Sequence, residues 1–238
     1  MQTFERWVSL GNFCLTKYQI NRYVVKNHFG LTSNSTLEAH NLVSSALKEG
    51  LRAINGGNLF FDWVVVEDYN KVVDIFKKGF RYSLMEADLQ ECIVDQKITD
   101  IKCNESGVLW VHLFDKSKEL LDWKEQVPHL KDKVEHLRHS FVDLVRFETL
   151  YVMTAPQSFA ESDMPEAIVD ALSVIRNSQV TDFRLLVCVV DGSYIPDRGK
   201  ILFRSYNSKP DFECYSWLGN AEAWDLAFAD FRLRPVRV

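Results

Sequence analysis

Apolar residues along the chain come in short blocks cut by breakers. Trp7-Val8-Ser9-Leu10 is a largely apolar run stopped by Gly11, and the stretch after it carries Leu15, Tyr18, Val24, Val25 and Phe29. That order predicts a strand, a tight turn and a helix. The polar run Thr32 to Thr36 reads as a loop, with Ser35 or Thr36 able to cap a helix through about Glu49 that Gly50 ends. Asn55-Gly56-Gly57-Asn58 is the densest breaker cluster and leads into the apolar block Leu59 to Val66, which predicts burial. Tyr69, Val72, Val73 and Phe76 mark a helix ending near Lys77, Lys78 and Gly79, where basic side chains suit the negative end of the dipole. No firm pattern emerges between Arg81 and Cys103.

The second half is more regular. Val108 to Phe114 predicts a strand, and Pro128 is expected to open a long helix on which Leu130, Val134, Leu137, Phe141 and Leu144 recur at intervals of four and three. Leu150 to Thr154 is a strand, Ser162 or Asp163 starts a helix with Ile168, Ala171, Leu172 and Ile175 on one face, and Leu185 to Val190 is an unbroken apolar strand. A continuous apolar strand needs cover on both faces, so this βαβ unit predicts an α/β fold with a mostly parallel sheet core and helices on both faces. A C-terminal strand pair, Ile201 to Ser205 with Phe212 to Trp217, and a helix from Ala221 to about Phe231 complete the expectation.

Composition narrows the class. At 238 residues, 47% hydrophobic and 26% charged, the chain is read as a single α/β domain over 1–238. A net charge of −5 argues against a dedicated nucleic-acid binder. The positives Lys131, Lys133, Arg138 and Arg146 alternate with Asp132, Glu135 and Asp143, as on a solvated helix face. Cys14, Cys92, Cys103, Cys188 and Cys214 show no CxxC spacing, which points to a reducing, cytoplasmic setting. Neither an export signal nor a membrane span is read from the chain.

Ligands of an open parallel sheet sit beyond the carboxyl ends of its strands. The residues expected there are Gly11, Asn12, Phe13 and Cys14 after the first strand, His112 and Asp115 near the end of the second, Thr154 after the third, and Asp191 with Gly192 after the fourth. Cys14 at a helix start would meet unpaired N–H groups that favour a thiolate, and the same groups with Asn12 would bind an oxyanion or a phosphate. Asp62, an acid inside an apolar block, needs a partner, and His112 is a suitable one. Asp115 is the alternative acid. No HxxxH or HExxH spacing occurs, so no metal and no cofactor are expected.

The run Val8-Ser9-Leu10-Gly11-Asn12-Phe13-Cys14, the later Phe61-Asp62-Trp63, and His112 with Phe114 two residues on resemble a bacterial domain-of-unknown-function family described as papain-like cysteine peptidases. The resemblance implies Cys14 as nucleophile, His112 as general base and Asp62 as the acid that orients it. Papain's oxyanion glutamine lies six positions before its nucleophile, where this chain has Val8, so an oxyanion would fall to Asn12 or to the N–H groups of Phe13 and Cys14. The implied substrate is a small peptide or amide. Two other functions stay open: a transferase that holds a nucleotide-sugar or sugar-phosphate donor at the Gly11-Asn12 turn, and a non-catalytic interaction domain using exposed Trp123, Trp217 or Trp224.

Overall fold

Two kinds of strand, wholly buried and half-exposed, build two sheets of different character. The computed structural model describes residues 2–10, 14–29, 59, 61, 64–66, 68–78, 88–94, 97–110, 114, 123–176, 182–206 and 220–234. Strands β2 (Arg6–Ser9), β7 (Thr149–Ala155), β8 (Phe183–Val190) and β9 (Ile201–Tyr206) form a four-stranded sheet in that order, with all three pairings parallel. All seven residues of β7 are buried. That is the signature of a strand covered on both sides.

Alternation along these strands feeds two cores. Val8, Tyr151, Met153, Leu185, Val187 and Phe203 face one way, toward α2 (Tyr69–Lys77), α3 (Trp123–Asp143) and α5 (Met164–Arg176). Trp7, Leu150, Val152, Leu186, Cys188 and Leu202 face the other way, toward α1 (Cys14–Phe29) and α6 (Ala221–Phe228). The second core is aromatic: Trp7 stacks on Tyr23 at 5.5 Å and meets Phe228 edge-on at 5.2 Å, while Trp224 lies 4.8 Å from Tyr206. A short parallel pair, β1 (Gln2–Phe4) with β10 (Phe231–Leu233), closes its rim.

The other sheet is antiparallel, in the order β3 (Val65–Val66), β6 (Val108–Trp110), β5 (Lys97–Cys103), β4 (Leu89–Val94). Its inner residues Val66, Leu89, Ile101 and Trp110 join the α2/α3 core, so one apolar interior continues from the parallel sheet to the antiparallel one. Among the described residues, no helix is long and apolar enough to cross a membrane.

The α/β class stands, and so do the strand and helix expected at the start, β2 and α1, and the βαβ unit from β7 through α5 to β8; the turn between β2 and α1 lies outside the described residues. Other elements differ from expectation or add to it. The strand expected over Val108 to Phe114 is β6, which belongs to the antiparallel sheet. The β4–β5 hairpin occupies the stretch that carried no clear pattern. Pro128 lies inside α3, because the buried Trp123 starts the helix a turn and a half earlier, its indole N–H donating to Glu91 Oε1 at 2.7 Å. Strand β9 pairs with β8, and Phe212 to Trp217, expected to pair with it, lie outside the described residues. Helix α6 stops at Phe228, and Phe231 begins a strand. Trp123 and Trp224 are buried at 3% and 0% exposure, so neither presents an interaction surface; Trp217 lies outside the described residues.

Candidate functional site

Neighbouring strands β2 and β7 send the chain to opposite sides of the parallel sheet. After β2 the chain enters α1, whose Ile20, Tyr23 and Val24 pack on one face. After β7 it enters the short α4 (Gln157–Ala160) and then α5, whose Phe159, Ala160, Ile168 and Leu172 pack on the other. Such a divergence opens a crevice beyond the carboxyl ends of the two strands. The register deepens it. Ser9 pairs with Val152 and the Leu10 N–H donates to the Val152 carbonyl at 2.9 Å, so Met153 to Ala155 continue past the end of β2.

Cys14 is the first residue of α1, a helix of 16 residues. Its position therefore combines the carboxyl edge of a parallel sheet with the positive end of a helix dipole. Thr16, in the same first turn, is wholly buried and its hydroxyl has no hydrogen-bond partner. Thr154 is 5% exposed and stands in register with Cys188 of β8, and alternation from Leu150 and Val152 turns it toward the α1 face. Burial pushes the Cys188 thiol well above its ordinary range, against the opposing charge of Arg204. Cys188 is therefore an inert core thiol.

The β8–β9 connection forms the far wall. Asp191 adopts a positive φ of 46° directly after β8, and its N–H donates to the Tyr206 carbonyl at 2.9 Å. Gly192 packs so closely that an added Cβ would lie 2.3 Å from Val189 Cγ1. Gln157, two residues beyond β7, grips Ser193 twice: its Oε1 accepts from the Ser193 N–H at 3.0 Å and its Nε2 donates to the Ser193 hydroxyl at 2.7 Å. Ser205 Oγ donates to the Ser193 carbonyl at 3.0 Å. Burial also pushes the Tyr206 hydroxyl upward, helped by Cys188, Tyr69 and Asp191 nearby.

The residues expected from sequence divide accordingly. Cys14, Thr154 and Asp191 all lie at the carboxyl edge of the parallel sheet. Gly11, Asn12, Phe13, Asp62, His112 and Asp115 lie outside the described residues. The strand before His112 and Asp115 in sequence, β6, belongs to the antiparallel sheet and not to the parallel one as expected. Gln157, Ser193 and Thr16 were not singled out by sequence; Gly192 was visible as a breaker after a strand, whereas the burial of Thr16 leaves no local signal. The groove of about 390 Å³ between Leu89, Ile93 and Trp123 lies on the antiparallel sheet and includes none of these residues. Among the described residues, no cluster of His, Cys, Asp or Glu is arranged to hold a metal ion. No protein-family model, curated protein or solved structure matches the chain.

Proposed function

We propose that the protein is a thiol-dependent hydrolase or acyl transferase acting on a small peptide or amide, with Cys14 as nucleophile, His112 as general base and Asp62 orienting the imidazole. The observation that carries this reading is the placement of Cys14 as the first residue of α1, at the sheet edge where β2 and β7 send the chain to opposite faces. Helix-start N–H groups favour the thiolate and are available to an oxyanion. In the reaction the Cys14 sulfur bonds to the acyl carbon, His112 delivers the proton to the leaving amine, and water or a second amine then cleaves the thioester. The resemblance to the papain-like family supplies the roles of His112 and Asp62. Alkylation of Cys14 by iodoacetamide, followed by mass spectrometry across pH, tests it. An apparent pKa well below ~8.5 that rises in His112→Ala is expected, and ordinary thiol behaviour in both proteins sinks the reading.

A second reading draws on the unpartnered hydroxyl of Thr16 in the first helical turn. With the helix-start N–H groups it suits an anion, as in a transferase using a sugar-phosphate donor. Under this reading Cys14→Ser keeps full activity and sugar phosphates raise the Tm, whereas a Cys14→Ser protein devoid of activity argues for the thiol mechanism.

A further inference from the structure

Large apolar side chains left in water are few among the described residues: Ile93, Val174, Leu226 and Tyr194. Tyr194 is the aromatic one of the four, and at 86% exposure it is also the most open. It stands on the β8–β9 loop, next to Ser193, at the carboxyl edge of the parallel sheet.

That loop is not slack. Gln157 holds Ser193 by two hydrogen bonds, Ser205 holds its carbonyl, Arg198 Nη2 donates to the Ala160 carbonyl at 2.6 Å, and Asp197 accepts from the Phe203 N–H at 2.9 Å. Ile195, the next residue, packs against the core. A ring held in water by a braced segment keeps its binding geometry without a partner, which lowers the ordering cost of binding. Tyrosine suits this use because it offers a broad apolar face with only two side-chain torsions. The β8 exit lies two strand spacings from the β2 exit, about 10 Å at ~4.8 Å per strand, so Tyr194 and Cys14 follow strands that end on the same edge of one sheet.

We propose that Tyr194 is a specificity-determining residue that stacks on a planar apolar group of the substrate next to the bond attacked from Cys14, and that Gln157 is the positioning residue that holds it there. The substrate class is an amide or acyl compound bearing an aromatic side group. The inference rests on the thiol reading for the position of the scissile bond, while the platform itself is separable from it.

Two measurements on the full chain keep them apart. In the first, 2-naphthylacetamide is titrated against the Cys14→Ser protein by fluorescence. Tyr194→Ala weakens binding about tenfold, Tyr194→Phe retains it, and Gln157→Ala falls between. Equal binding with and without the Tyr194 ring overturns the platform, whatever Cys14 does. In the second, phenacyl bromide and iodoacetamide compete for Cys14, each rate being normalised to N-acetylcysteine. A preference for the aromatic reagent that drops about tenfold in Tyr194→Ala, with the iodoacetamide rate unchanged, supports the proposal. A fast Cys14 with no aromatic preference overturns the proposal alone, and a Cys14 no faster than N-acetylcysteine toward iodoacetamide overturns the thiol reading alone.

Discussion

A single missing methyl group holds the turn after β8 in place. Gly192 leaves no room for a Cβ, because the nearest atom, Val189 Cγ1, belongs to a β-branched side chain that is 1% exposed and fixed in the α2/α3 core. Gly192→Ala must therefore push the turn away from the sheet. It is expected to cost about 1–3 kcal/mol, with a Tm several degrees lower in a thermal melt. Because Ser193 is the next residue, the same change loosens the grip of Gln157. A Gly192→Ala protein that melts with the wild type means the turn shifts freely, and the claim of a braced wall then fails. Cys14 was legible at this scale because an apolar run, a glycine and a helical spacing name the start of a helix. The role of Gln157 was not, since its partner lies 36 positions away.

Helix α1 is held to α6 by charge as well as by aromatic packing. The Arg22 side chain, 2% exposed, donates from Nε to Gln19 Oε1 at 2.7 Å and from Nη2 to the Ala221 carbonyl at 2.9 Å, and it pairs with Asp225. Lys26 reaches the other Asp225 oxygen at 2.5 Å. Removing the carboxylate leaves a buried guanidinium without its counter-charge, so Asp225→Ala is expected to cost about 3–5 kcal/mol by chemical denaturation. Adding Arg22→Met should recover part of that loss. If the double variant is no better than the single one, the cost lies in packing and not in charge. Pro128 makes the opposite prediction: six residues into α3 it lacks the N–H that would reach the Lys124 carbonyl, so Pro128→Ala should raise stability by about 1 kcal/mol or more in the same assay.

These elements also show where local pattern stops. Strands β7 and β8 read clearly because burial on both faces leaves an unbroken apolar run. The β4–β5 hairpin did not, because one side of it stays half-exposed and Gln90, Glu91, Asp100 and Lys102 interrupt the alternation. Val-Leu-Trp at β6 is as apolar as a parallel strand, and nothing local tells which sheet receives it.

At the scale of the whole molecule, a parallel sheet sealed by helices on both faces makes stability sensitive to alkali. Cys188 lies under the α1/α6 layer and Tyr151 under the α2/α3/α5 layer, both fully buried. Burial raises both groups above their ordinary values, and it does the same for Tyr206. For Tyr151, the Arg176 guanidinium that donates to its hydroxyl at 3.3 Å opposes the shift without reversing it. An acid raised in the folded state holds its proton there while the unfolded chain gives it up. Its stability contribution is thus complete below the unfolded pKa and is lost as pH climbs toward the folded one. The thiol begins this loss above about pH 9 and the tyrosines above about pH 10, each with a limiting slope of about 1.4 kcal/mol per pH unit. Urea midpoints measured from pH 8 to 11 should therefore fall gently at first and then steeply. In Cys188→Ala the midpoint starts lower at pH 8, because a buried side chain has been cut back, yet the decline between pH 9 and 10 flattens. A decline of unchanged slope would mean that Cys188 meets water in the native state, and the seal over the α1 face would have to be abandoned.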